Sequence, residues 1–175
     1  LVAALLTAIT VHEAAHAYLA DHLGDPTPRV QGRLSLNPLV HLDLFGTLLL
    51  FLAGFGWGKP VQFDPYNLKN PRRDAALISF AGPLSNILVA SAASILLKFF
   101  PDAELLLSLI IRLNVFLAVF NLVPIHPLDG GKVLSALLEP AQARSYDAFV
   151  GRYGIFILIF LILPIWNGTP ILFAF

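Results

Sequence analysis

LVAALLTAITVHEAAHAYLA (Leu1–Ala20) places three ionisable side chains inside a stretch that otherwise reads as a membrane-spanning helix. Thr7 and Thr10 are the only polar residues before His12. Residues four apart share a helix face, so His12 and His16 can grip one metal ion together. Glu13 projects beside them, placed to take a proton from a metal-activated water. Two imidazoles and a carboxylate are costly in hydrocarbon unless they serve a site facing the protein interior. The stretch therefore predicts a metal centre within the membrane.

Working outward, the composition agrees. Of 175 residues, 57% are hydrophobic and only 13% charged, against about a quarter charged in soluble domains. The length suits one integral-membrane domain over residues 1–175, with no room for an appended soluble domain. The net charge is zero and Lys and Arg form no long run, which argues against nucleic acid as a partner. Cysteine is absent, so a metal must use nitrogen and oxygen donors. The chain starts at Leu1 without Met, and the first helix is expected to be longer than the part seen. Leu1 to Val11 lacks the basic region of a cleavable signal peptide.

Five apolar segments follow one another: Leu1–Ala20, Leu42–Trp57, Ala75–Phe100, Leu105–Val123 and Phe149–Trp166. A span needs about 20 apolar residues. Four segments come near that length, while Leu42–Trp57 is short and carries Gly46, Gly54 and Gly56. If it crossed, the ends of the first and fourth helices would lie on opposite faces. Asp129, argued below to meet His12 and His16, requires them on one face. The segment is therefore expected to be re-entrant, which is permitted where backbone is buried in protein. Arg29–Leu36, between Pro28 and Pro38, and Lys59–Phe63, running into Asp64-Pro65, read as short strands. The expected fold is thus an all-α polytopic bundle of about four full spans, with a re-entrant segment and short membrane-associated β-strands. Arg29, Arg33, Lys59, Lys69, Arg72 and Arg73 all fall on connections to one face, whereas Lys98–Glu104 on the other holds one Lys against Asp102 and Glu104. The positive-inside bias turns the site toward the cytoplasm.

Catalytic zinc usually keeps three protein ligands and a water. Beside the apolar segments stand Asp21, His22, His41, Asp43, His126 and Asp129. Asp129 is the best third ligand. It lies in NLVPIHPLDGG (Asn121–Gly131), where Pro124 and Pro127 must break the fourth helix and Gly130 and Gly131 allow close backbone approach. Its bland alternative is to cap a helix running from Gly130 to Leu138.

HEAAH in one apolar helix, followed far downstream by NLVPIHPLDGG, resembles the site-2 protease family of intramembrane zinc metalloproteases. Between them, Ala81-Gly82-Pro83-Leu84-Ser85-Asn86 is similar to the central-helix signature of that family. QGRLSLNPLVHLD (Gln31–Asp43), FGWGKPV (Phe55–Val61) and DPYNLKNPRRD (Asp64–Asp74) resemble its small bacterial and archaeal branch without PDZ or CBS domains. The resemblance implies Zn2+ held by His12, His16 and Asp129, Glu13 as general base, and Asn86 near the site, holding substrate backbone or the oxyanion. It implies single-span membrane proteins as substrates, cut within their transmembrane segments, in a prokaryotic cell membrane. His126 stands where such sequences usually have an apolar residue or proline, which leaves a fourth nitrogen available near the metal. Lys59 and Val61 lie on an edge that could hold an extended substrate by adding a strand, and Pro60, lacking an N–H, suits such an edge. Asn121 and Asn114 are expected to bond across helices or behind the ligands.

Two other classes also fit: a catalytically silent metal-binding membrane protein that holds clients, and a metal transporter. Glu13 counts against the first, since a binder needs only ligands. The fourth and fifth segments offer few polar groups for a transport path. Sequence does not give the oligomeric state.

Overall fold

In the computed structural model, residues 2–53 and 58–162 are described. The first apolar stretch forms α1 (Val2–His22), and its buried face is made of small residues: Ala4, Ala8, Ala14, Ala17 and Ala20, interleaved with Thr10, His12 and His16. Small side chains let a second helix come close. That helix is α4 (Pro71–Phe99), which starts at a proline whose fixed φ suits a first helical turn. It continues through Pro83 and buries Ile78, Ser79, Gly82, Asn86, Ala90 and Ala93. Next, α5 (Glu104–Asn121) buries Asn114 and Ala118 and packs on both α1 and α4.

The distribution of side chains is inverted relative to a water-soluble bundle. Buried polar groups include Thr10, His12, His16, Ser79, Asn86 and Asn114, whereas Leu77, Phe80, Leu84, Leu88, Ile95, Val115 and Val119 are exposed. Water would drive the large apolar side chains inward; hydrocarbon does not. Among the described residues, three helical stretches are long and apolar enough to cross a bilayer: Val2–His22, Pro71–Phe99 and Pro101–Asn121. The chain is a mainly helical membrane protein.

Four further α-helices complete the described residues. They are α2 (Thr27–Val30), α3 (Leu44–Ala53), α6 (Asp129–Leu137) and α7 (Pro140–Ile162). Helix α6 packs against α4 and α7. The fifth apolar segment is the continuation of α7, which starts nine residues earlier than its apolar part because Pro140 opens the helix ahead of a polar turn. Its end beyond Ile162 lies outside the described residues, as does the glycine-rich stretch 54–57.

The expected strands are not formed among the described residues, where the only β pairing is a single antiparallel bridge, Leu42 with Gly58. Arg29–Leu36 instead enters as part of the helical turn α2, set by Pro28 near its start, and Gly32 at φ +69° then reverses the chain. Lys59–Phe63 is not in a helix, but only Lys59 finds a backbone partner, donating its N–H to the His41 carbonyl at 2.8 Å. A lone extended segment without a neighbour makes no sheet.

Candidate metal centre

HEAAH falls in the middle of α1 because nothing in that stretch breaks a helix, and its register turns His12 and His16 toward α4. Both imidazoles are buried, with ring centroids 4.6 Å apart and planes nearly perpendicular. Asp129 is brought to them by the interruption after α5. Beyond Asn121 the chain turns through Pro124 and Pro127, and α6 begins at Asp129, one residue earlier than the sequence suggested. The N-cap is Leu128, and Asp129 is the first residue of the helix. Asp129 Oδ2 lies 3.1 Å from His12 Nε2 and 3.3 Å from His16 Nε2. Ligand atoms of these three residues all fall within 4.8 Å of one another, a grouping able to hold a metal ion.

The far side of each ring is fixed. His12 Nδ1 lies 2.7 Å from Asn86 Oδ1, and His16 Nδ1 lies 2.7 Å from the Ile78 carbonyl oxygen. Both partners only accept, so each Nδ1 carries the proton, and when the imidazoles are neutral each Nε2 presents a lone pair to the carboxylate. Asn86 cannot turn over: its amide N–H groups donate to the Ala8 carbonyl at 2.9 Å and to Asn114 Oδ1 at 2.8 Å. Asn114 in turn donates to the Ile110 carbonyl at 2.9 Å. Two lone pairs and an anionic oxygen converging in a buried space repel unless a cation lies between them. The donor set, two imidazoles and a carboxylate with no thiolate, fits zinc with a position left open.

Gly82 makes the approach of α4 possible. A Cβ there would stand 2.5 Å from His16 Nε2 and 2.7 Å from His12 Cε1. The neighbours of this glycine are the imidazoles themselves.

Glu13 is oriented from the opposite wall, its Oε2 accepting the Val61 N–H at 2.7 Å. The segment carrying Val61 is tied at both ends. Lys59 is held by His41 and by the buried Arg33, whose guanidinium donates to the Val40 carbonyl and, at 3.4 Å, to that of Lys59. At the other end the fully buried Asp25 accepts from the Asp64 N–H at 2.7 Å, the Asn67 amide at 2.8 Å and the Thr27 hydroxyl at 2.6 Å. Burial would raise the Asp25 carboxyl, but these hydrogen bonds outweigh it and hold its pKa below the ordinary 3.8.

Next to this segment opens a cleft of about 950 Å³, walled by residues 61–63, the start of α4, α6 and α7. Leu128, Gly131 and Lys132, either side of Asp129, line it, as does His126. His126 is exposed on the cleft wall and is not among the metal-holding group. Asn121 bonds back to the Leu117 carbonyl of its own helix at 3.0 Å. The Lys59 side chain is exposed. Both N–H groups of Asn86 are engaged, with the Ala8 carbonyl and Asn114 Oδ1. Arg33, His41 and Asp25, which frame the Glu13 side, carried no sequence signal of that role.

Two buried histidines and a part-buried carboxylate beside an oriented glutamate, among helices with apolar exteriors, are the arrangement a membrane metalloprotease requires. YwhC of Bacillus subtilis (strain 168), named as a zinc metalloprotease, is 40% identical over 168 residues, covering 86% of this chain and 77% of its own. Rip2 of Mycobacterium tuberculosis, similarly named, is 30% identical over 178 residues, covering 95% and 68%. The zinc metalloprotease MJ0392 of Methanocaldococcus jannaschii is 28% identical over 138 residues, 77% of this chain and 33% of its own. The model of peptidase family M50 matches residues 102–165. The chain belongs to this family, the zinc-dependent site-2 proteases. No solved structure matches it.

Proposed function

We propose that this protein is an intramembrane zinc endopeptidase that hydrolyses peptide bonds within the transmembrane segments of single-span membrane proteins. The observation that carries the reading is the buried convergence of His12, His16 and Asp129, with Glu13 beside them, in the middle of a span. Zinc held by those three side chains would supply Lewis acidity toward a carbonyl and an acidified water. Asn86 and the Ile78 carbonyl keep both Nε2 atoms directed at it. Glu13, aimed by the Val61 N–H, takes a proton from the attacking water and returns it to the leaving nitrogen.

A substrate must be extended at the cut, because a helix keeps its carbonyls in its own hydrogen bonds. Residues 60–63 make no backbone pairing among the described residues, so a substrate strand can lie along them, with Lys59 and Val61 at its margin. Helix α3 has ten residues and is about 15 Å long, half a hydrocarbon core. The Leu42–Gly58 bridge joins the two ends of its segment, which supports a re-entrant excursion, and the end of α7 supplies the fourth span. Arg29, Arg33, Lys69, Arg72 and Arg73 cluster where α1 ends and α4 begins, which supports a cytoplasmic-facing site in a prokaryotic cell membrane.

Incubating purified protein with a model single-span substrate and mapping the products by mass spectrometry tests this. Cleavage should fall within the apolar segment, and Glu13→Gln should keep zinc while slowing cleavage at least about a thousandfold. Cutting only outside the apolar segment, or undiminished cutting by Glu13→Gln, would refute it.

A further inference from the structure

The cleft beside the metal centre has an unbalanced charge. Arg72, Lys132 and Arg144 line it against one lining acid, Asp147, while the site's own carboxylates, Asp129 and Glu13, lie close enough to act on Lys132 without pairing with it. None of the three cations has a carboxylate partner; among the described residues the only Lys or Arg ion pair is Arg29 with Asp21. Arg72 is committed to the end of α6, donating to the Ser135 and Leu138 carbonyls. Asp147 accepts from the Ser135 hydroxyl at 2.9 Å, which fixes the one anion on the far wall. Lys132 instead stands over the Phe63 ring, its Nζ 4.4 Å from the centroid. That puts the ammonium above the extended segment whose Val61 N–H holds Glu13. Lys132 is also three residues past Asp129 on one helix, a rise of about 4.5 Å. A positive charge focused between low-dielectric walls attracts an anion strongly.

Resting on the reading of this cleft as the peptide path, we propose that Lys132, backed by Arg144, recognises a carboxylate on the substrate chain close to the scissile bond. The cleft thereby selects membrane segments bordered by an acidic group over those bordered by basic ones. The carboxylate comes from an Asp or Glu side chain or from a chain terminus. A lipid phosphate is the less fitting occupant, because the ammonium lies along the path leading to Glu13 and Asp129, where a peptide must run for chemistry to occur.

The test compares substrates that differ at one position beside the cut, carrying Glu, Gln or Lys, and a further pair ending there as free acid or amide. Each is assayed for cleavage by the native chain, Lys132→Gln, Lys132→Glu and Arg144→Glu. Binding of fluorescein-labelled versions of the same peptides to Glu13→Gln protein, alone and combined with each of those changes, is measured in parallel, with zinc content reporting folding. The native chain should prefer Glu over Gln about fivefold, through KM, and Lys132→Glu should reverse the order to favour Lys. The acid and amide pair tells whether a terminus serves as well as a side chain. Equal cleavage and equal binding of Glu and Gln peptides would overturn the proposal. So would a preference that survives both charge reversals. Nanodiscs of anionic and zwitterionic lipid add a third arm. A lipid effect equal for all substrates and abolished by Lys132→Glu would give these cations to lipid and reject the peptide reading. If the native chain cuts nothing, the protease reading fails on its own, and the binding arm still decides this one.

Discussion

The two walls of the site are built on opposite principles. On the side of α1, α4 and α5, the polar groups around the imidazoles form a connected set, with the buried Ser79 hydroxyl left out of it: His12 with Asn86, Asn86 with Ala8 and Asn114, Asn114 with Ile110, His16 with Ile78. On the side of residues 59–65, α6 and α7, residues 60–63 make no backbone–backbone hydrogen bond among the described residues, the Val61 N–H going to Glu13, and the cations lining the cleft form no ion pair there. The first wall has one arrangement, because any loosened partner would be an unsatisfied polar group in a low-dielectric interior. The second is left incomplete, so that an incoming chain can complete it. In the proposed function this difference separates holding a metal from receiving a substrate, with Asp129 and Glu13 at the seam.

Breaking the closed wall should have the largest effect. Gly82→Val would push side-chain atoms into the space of both imidazoles, and the folded protein should lose its zinc and all proteolysis; metal analysis after purification checks this, and full zinc content would show that α4 can retreat. Asn86→Ala comes next. It removes the acceptor from His12 and leaves Asn114 and the Ala8 carbonyl short of a donor. Zinc affinity, measured by chelator competition, should fall about ten- to a hundredfold.

The smallest effect belongs to the frame of the open wall. Asp25 has a folded pKa below 3.8, so its stabilising contribution is present above that value and disappears as pH falls through the lower folded one. Asp25→Asn should therefore cost about 1 kcal/mol at neutral pH and remove part of the acid dependence of thermal unfolding. An unchanged acid limb in the variant would assign that dependence to other carboxylates.

The closed wall was the more legible of the two in sequence. HEAAH and the LDG segment announce themselves because few reasons exist to place such groups in apolar sequence. What sequence does not carry is identity by neighbour. Gly82 matters through what faces it, and the Ile78 carbonyl belongs to a backbone that any residue would supply. That both Asn86 N–H groups are engaged is likewise visible only in coordinates. The open wall misled more. Arg29–Leu36 alternates like a strand, yet Pro28 and Gly32 make it a helical turn and a reversal. Lys59–Phe63 lacks the neighbour that would turn it into a sheet among the described residues. The first turns of α7 are polar, so an apolar scan begins too late, at Phe149, while the helix begins at Pro140.

The central claim is that His12 and His16 from α1 and Asp129 from α6 hold one zinc ion. X-ray absorption spectroscopy with metal quantification on the purified protein addresses it most directly. One zinc per chain, bound by two imidazoles and oxygen, with zinc lost or greatly weakened in Asp129→Ala, is the predicted result. Folded native protein without zinc, or an unaltered zinc shell in Asp129→Ala, would contradict it.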